Sequence, residues 1–181
     1  MGGINKGLQP WRGQPLVWHV ARRLAPQVGT LTLNANRDIE AHTALGWPCQ
    51  PDDPELPPHQ GPIVGLLTGL RHARTPWLQL APCDSPQLPA DLVERLRRAA
   101  LEAGADIAVP VTPDGDARGP RHHWTTALVK TDLAAALHAA LQTGERRMRG
   151  WMTQTHWIGV SFADPVAFLN INTLETLHGP V

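Results

Sequence analysis

Trp77-Leu78-Gln79-Leu80-Ala81-Pro82-Cys83-Asp84-Ser85-Pro86, residues 77–86, is a short apolar run that ends on a carboxylate. Leu78, Leu80, Ala81 and Cys83 suit a strand buried on both faces, as in a parallel sheet. Asp84 falls where that strand leaves the sheet. Pro86 and Pro89 stop the strand, and Pro89-Ala90-Asp91-Leu92 opens a helix with proline near its first turn. In open α/β sheets the ligand crevice lies beyond the carboxyl ends of the strands. A carboxylate there can hold a divalent cation carrying phosphates. A turn residue or helix cap is the plainer role for such an aspartate.

Working outward, strands alternate with helices of ten or more residues through the first half. Gly13-Gln14-Pro15-Leu16 starts a helix to about Val28, with Leu16, Val17, Val20 and Leu24 on its apolar face, closed by Gly29. Leu31–Leu33 reads as a strand, Asp38–Leu45 as a short helix, and Trp47–Cys49 as a brief strand. A proline-rich loop from Pro51 to Gly61 is long enough to be a binding loop. A helix from Gly61 to Arg74 precedes the central strand. Beyond it, Asp91–Ala103 is an amphipathic helix and Ile107–Val111 a strand. Thr112–Arg121 is a polar loop, Thr125–Val129 a strand, and Asp132–Leu141 a helix. A further helix follows Gly144, then a strand at His156–Phe162 and a short closing helix. Such alternation is the signature of right-handed βαβ units around a doubly wound, mostly parallel sheet. The less regular later elements leave room for an antiparallel strand or two.

Composition narrows the function. The 181 residues are 42% hydrophobic and 18% charged, with a formal net charge of +0. That length can bury a full core. No global field attracts nucleic acid or an anionic membrane. Cys49 and Cys83 are far apart and form no CxxC, which suits buried thiols in a reducing cytoplasm. The nine histidines show no metal-ligand spacing. No run reaches transmembrane length, and the N-terminus carries no apolar signal core.

Met1-Gly2-Gly3-Ile4-Asn5-Lys6-Gly7 pairs glycines with a lysine. Bare backbone N–H groups approach phosphates closely and an ammonium adds charge, although such a loop ordinarily hangs from a preceding strand. Asn34 and Asn36 by themselves are turn formers, Arg146 and Arg147 solvated charges, and Asn170 and Asn172 a strand face or helix cap.

Taken jointly, GGINKGL (2–8), LNANRD (33–38), GPIVG (61–65), PCDSP (82–86), GERR (144–147) and NINT (170–173) resemble, in order and approximate spacing, the molybdenum cofactor guanylyltransferases. These belong to the wider nucleotidyltransferase fold that also makes nucleotide sugars. The resemblance implies a three-layer α/β/α, Rossmann-like sandwich with a mostly parallel sheet. It implies transfer of GMP from GTP to molybdopterin carrying molybdenum, with release of pyrophosphate. It also implies Mg²⁺ (or Mn²⁺ in its place), a monomer in the cytoplasm, and other molybdenum cofactor biosynthesis proteins and molybdoenzyme chaperones as partners. By the same resemblance Asp84 binds the metal at the α-phosphate, and Asn172 helps to hold it. Asn170 binds substrate from the same turn. Lys6 stabilises charge on the leaving pyrophosphate. Asn34 matches a nucleotide-binding position, as does an aspartate after the third strand. Counting from Gly46 that aspartate is Asp52, and counting back from Gly61 it is Asp53. Arg147, with Arg146 beside it, suits a pterin phosphate or pyranopterin oxygen.

The chain departs from the family pattern in two places. That pattern opens with a strand and Leu-Ala-Gly-Gly, followed by Arg-Met-Gly-Gly, and this chain begins at that methionine. The expectation is therefore one nucleotidyltransferase domain over residues 1–181, without its first strand and the start of its Gly-rich loop. His123-Trp124-Thr125 also stands where relatives carry His-Pro-Thr. Cytidylyl transfer to molybdopterin, nucleotidyl transfer to a sugar phosphate, and an inactive nucleotide-binding remnant are the alternative readings.

Overall fold

The structure is a computed structural model, and it describes residues 5–56, 61–113 and 119–171. Asn172, the Gly2-Gly3 pair and the expected closing helix lie outside the described residues. Two compact units divide the chain. One comprises residues 1–51, 81–92 and 164–181, and the other residues 52–80 and 93–163.

In the first unit, β1 (Pro10–Trp11) and β2 (Gln14–Pro15) form a hairpin in which Trp11 faces Gln14. The two residues between them, Arg12 and Gly13, both have positive φ, 49° and 81°. That is the signature of a type I′ turn, where Asn-Gly is the usual pair. Arginine in this left-handed region costs about 1 kcal/mol that asparagine or glycine largely avoids. Helix α1 (Leu16–Leu24) buries Leu16, Val17, Val20, Ala21 and Leu24, the face expected from its spacing. Pro26 lacks the N–H an α-turn needs, so the chain tightens into a 3-10 turn at Ala25–Gln27. The helix is shorter than expected: Gln14 and Pro15 belong to β2, and the α-helical part ends at Leu24 before the 3-10 turn. After β3 (Leu33–Asn34) and α2 (Ile39–Thr43), β4 (Cys49–Gln50) pairs parallel with β3. Both strands lie a residue or two beyond their expected positions. Val17, Ala21 and Leu33 pack together beneath this pair.

In the second unit, Gly61 at φ 77° turns the chain into α3 (Pro62–His72), with Pro62 at its first position. Ile63, Leu66 and Leu67 of α3 are fully buried. The remaining elements are β5 (Trp77–Gln79), α4 (Leu92–Ala103), β6 (Ile107–Thr112), β7 (Arg121–His122), β8 (Leu128–Lys130), α5 (Ala134–Gln142), α6 (Met148–Met152) and β9 (Trp157–Ser161). β8 lies between β5 and β6 and is antiparallel to both, while β9 runs parallel along β6 from Ile107 to Val111. β7 pairs antiparallel with the end of β6. The result is an α/β fold on a mixed sheet. All six residues of β6 are buried, as a strand covered on both faces requires. The expected run Trp77–Cys83 is a strand only over Trp77–Gln79, half-buried rather than buried on both faces, and its partner β8 is antiparallel, a direction on which an apolar run is silent. The core gathers Ile63, Leu67, Ile107, Val129, Leu137 and Met152. Each side chain of this size contributes about 1.5–3 kcal/mol when fully buried. Among the described residues, no helix is long and apolar enough to cross a membrane.

Candidate active site

Asp84 sits in the turn after Cys83 and is only 7% exposed. Lys6 reaches it from a single 3-10 turn, Lys6–Leu8, and its Nζ donates to Asp84 Oδ2. The other carboxylate oxygen, Asp84 Oδ1, is buried and has no hydrogen-bond partner among the described residues. A buried, unpaired carboxylate oxygen is costly unless something binds it. Two contacts join this turn to the NINT segment. Ile171 N donates to Asp84 O at 2.9 Å, and Ser85 Oγ donates to Asn170 Oδ1 at 2.9 Å. The fold therefore brings together Lys6, Asp84 and Asn170, three residues singled out far apart in sequence.

Gly7 explains how the lysine loop comes so close. A Cβ at Gly7 would stand 3.5 Å from each of Cys83 Cβ, His42 Nε2 and Val17 Cβ, so the backbone is enclosed on three sides. His42 is itself buried, and its Nδ1 bonds Asp38 O at 2.9 Å. Asp38 Oδ2 accepts from Asn5 Nδ2 at 2.9 Å, which ties down the residue before Lys6. Asn34, at the end of β3, donates to Gln50 O at 3.2 Å and is exposed.

The second unit holds the remaining candidates. Asp53 Oδ2 accepts from Arg71 Nη1 at 2.5 Å, and Asp53 Oδ1 accepts from Glu55 N at 3.0 Å. Its own N–H donates to the buried Thr68 Oγ1 at 3.0 Å. The Arg71 guanidinium, helped by the Glu55 N–H, holds the Asp53 carboxyl below the usual carboxylate range. Asp53 thus fastens its loop to α3, while Asp52 beside it is half-buried.

At the GERR stretch, Glu145 Oε1 accepts from the backbone N–H of both Arg146 and Arg147 at 2.8 Å. These two bonds lower the Glu145 carboxyl below its ordinary value. The carboxylate fills the space of a missing side chain, since a Cβ at Gly150 would collide with Glu145 Oε2. The Arg146 guanidinium donates to Leu141 O at 2.6 Å and Glu145 O at 2.7 Å. Arg147 is exposed just before α6. His123, bonded to Thr112 Oγ1 at 2.9 Å, is pushed down to about 4 by burial, with Arg121 and His122 adding repulsion.

Ser85, Arg71 and Glu145 were not singled out by sequence reading. Ser85 and Arg71 act through partners 85 and 18 residues away, which no local pattern marks. The Glu145 cap had a signal in its position just before a short helix with Gly150 following.

Among the described residues no three His, Cys, Asp or Glu side chains cluster as a metal site. The unpaired Asp84 Oδ1 nevertheless fits a divalent cation of the kind that takes one or two protein oxygens plus phosphates.

A family model described as the MobA-like NTP transferase domain matches residues 1–158. The chain is 44% identical over 181 residues to a molybdenum cofactor guanylyltransferase of Ralstonia pickettii (strain 12J), covering 98% of this chain and 88% of that protein. The Cupriavidus necator protein of the same name is 44% identical over 178 residues, with the same coverage. Among solved structures, molybdopterin-guanine dinucleotide biosynthesis protein A from Archaeoglobus fulgidus aligns with a TM-score of 0.71 at 20% identity, over 97% of this chain and 88% of that one. The 2-C-methyl-D-erythritol 4-phosphate cytidylyltransferase of Thermus thermophilus aligns at 0.74 with 16% identity, over 95% and 90%. The structural likenesses carry the nucleotidyltransferase fold.

Proposed function

The chain belongs to the MobA-like NTP transferase family, among the molybdenum cofactor guanylyltransferases, and from that premise we infer that it transfers GMP from GTP to molybdopterin bearing molybdenum, releasing pyrophosphate. The observation that carries the reading is the Lys6–Asp84 pair, whose Oδ1 has no partner among the described residues, joined to residues 170 and 171. In such a transfer a phosphate oxygen of the acceptor attacks the α-phosphorus in line, and the protein's work is positioning and charge neutralisation.

Asp84 would hold Mg²⁺, with Asn172 as its companion ligand. The cation would neutralise phosphate charge and fix the α-phosphate. Lys6 and Asp84 neutralise one another in the free chain. On nucleotide binding Lys6 turns to the triphosphate and stabilises the departing pyrophosphate, leaving Asp84 to the metal. Asn34 and Asp52 contact the nucleoside, and Asp53 keeps the Asp52 loop in place through Arg71. Asn170 contacts substrate. Arg147 meets the acceptor's phosphate, and Arg146 braces the motif through its backbone bonds. Residues 1–181 act as one nucleotidyltransferase domain, a cytoplasmic monomer that passes its product to molybdoenzyme-maturing partners.

The direct test supplies purified chain with Mg²⁺, molybdopterin bearing molybdenum, and either GTP or CTP, and follows dinucleotide formation by chromatography. Formation of the guanine dinucleotide in preference to the cytosine one is expected. Equal use of CTP would overturn the assignment of GTP.

A further inference from the structure

A cavity of about 370 Å³ opens in the first unit between α1, the β1–β2 hairpin and the segment following Asp84. Arg12, Arg22 and Arg23 line it together with His19, and neither Lys6 nor Asp84 does. Pro86 and Gln87 line it as well. Three arginines therefore line one concavity of a chain whose net charge is +0. None of the three forms a salt bridge with a carboxylate of the described residues.

The cavity is held in shape. Arg12 lies over the Trp11 ring, 4.4 Å from its centroid, and Arg22 lies over Trp18 at 5.3 Å. Trp11 is buried, meets the His19 ring edge-on at 4.8 Å, and its carbonyl bonds His19 Nε2 at 2.7 Å. Gln27 bonds both Arg23 O and Pro89 O, which fixes the end of α1 against the segment carrying Pro86 and Gln87. Arg12 stands in the left-handed position of its turn, where asparagine is the ordinary choice. Strained residues kept in such positions concentrate at ligand sites.

We propose that this cavity is a second anion site, separate from the Lys6–Asp84 pair, that takes a small polyphosphate. Inorganic pyrophosphate and the phosphate tail of a nucleotide share the chemistry. Guanidinium forks suit phosphate oxygens, and three of them match a diphosphate's charge. The volume falls at the small end of ligand pockets, which favours a small molecule over a protein segment. The proposal does not depend on the transfer reaction assigned above.

The test titrates inorganic pyrophosphate calorimetrically, without Mg²⁺, into the Lys6→Ala chain, so that phosphate binding at Lys6 does not contribute. One site is expected, weakened by salt. Arg12→Asn keeps the turn, and should raise the thermal midpoint by about 2–4 °C while weakening pyrophosphate about tenfold or more. Arg22→Ala and Arg23→Ala should weaken it similarly, and all three single variants of the unmodified chain should keep wild-type guanylyltransfer. A GTP arm matching pyrophosphate identifies the nucleotide tail as occupant, and a weaker one identifies free pyrophosphate. Absence of binding to Lys6→Ala would overturn the proposal, and so would unchanged affinity in the arginine variants. Loss of transfer activity in step with affinity would assign the cavity to the catalytic site instead. Tighter binding of a polyglutamate peptide than of pyrophosphate would make it a protein-docking site and overturn the small-anion reading.

Discussion

Asp84 and Asp53 have side chains exposed to the same small degree, 10% and 11%, and each is paired with a basic side chain. They differ in what their second oxygen does. Asp53 gives Oδ2 to Arg71 and Oδ1 to Glu55 N, and its N–H is taken by Thr68, so its capacity is used within its own loop. Asp84 gives Oδ2 to Lys6, and its buried Oδ1 has no hydrogen-bond partner among the described residues. A satisfied aspartate is a fastening, since its pairing lowers its own energy and asks for nothing more. A half-satisfied one carries a desolvation cost of roughly 1–3 kcal/mol that only a further ligand recovers. Nearly equal burial therefore conceals different hydrogen-bond inventories among the described residues.

The sharpest way to break this comparison is Asp84→Asn. The substitution keeps shape and removes the charge that would hold the cation at the α-phosphate. Turnover should fall by about 10²–10³-fold, with the thermal midpoint unchanged or higher, because a buried unpaired anionic oxygen is gone. Near-normal kcat at limiting Mg²⁺ would make Asp84 a second fastening.

Next in size is the contrast between neighbours. Asp52→Ala should raise KM for GTP about tenfold, the value of one charged hydrogen bond, with little change in melting temperature. Asp53→Asn should do the reverse, lowering the melting temperature with kcat kept in the folded fraction. Steady-state kinetics and melting curves on the two variants decide it, and an exchange of the two phenotypes would reverse the assignments.

His123 extends the comparison to a group that stays neutral. Its value in the folded chain is about 4, against an ordinary 6.5. Above pH 6.5 it is neutral whether folded or not, so it costs nothing there. Between pH 6.5 and 4 the unfolded chain takes up a proton that the folded chain refuses, and stability is lost as pH falls through that window. Denaturant titrations at stepped pH should show this loss, and His123→Gln should flatten it. An unchanged pH slope in the variant would assign the acid sensitivity to other groups.

The smallest effect belongs to Ser85→Ala. It removes the bond to Asn170 and should cost about 0.5–1.5 kcal/mol, read as a drop of about 2–4 °C in melting temperature. A drop in kcat far beyond that would show that the contact aligns Asn170 for the chemistry.

Sequence by itself determined the class of fold and most element positions, and it named the candidates for the site. Apolar spacing found α1, α3 and β6, because the period of burial is written in the residues that are buried. The motifs placed Lys6, Asp84 and Asn170 in one list. Tertiary structure alone decided that β5 lies antiparallel to β8, since strand direction depends on the neighbour and an apolar run is silent about it. It alone paired Asp53 with an arginine 18 residues on that no motif includes. It alone showed an Asp84 oxygen with no partner among the described residues. Whether a polar atom is satisfied depends on every group that folding brings within about 3 Å, and that inventory exists only once the chain has folded.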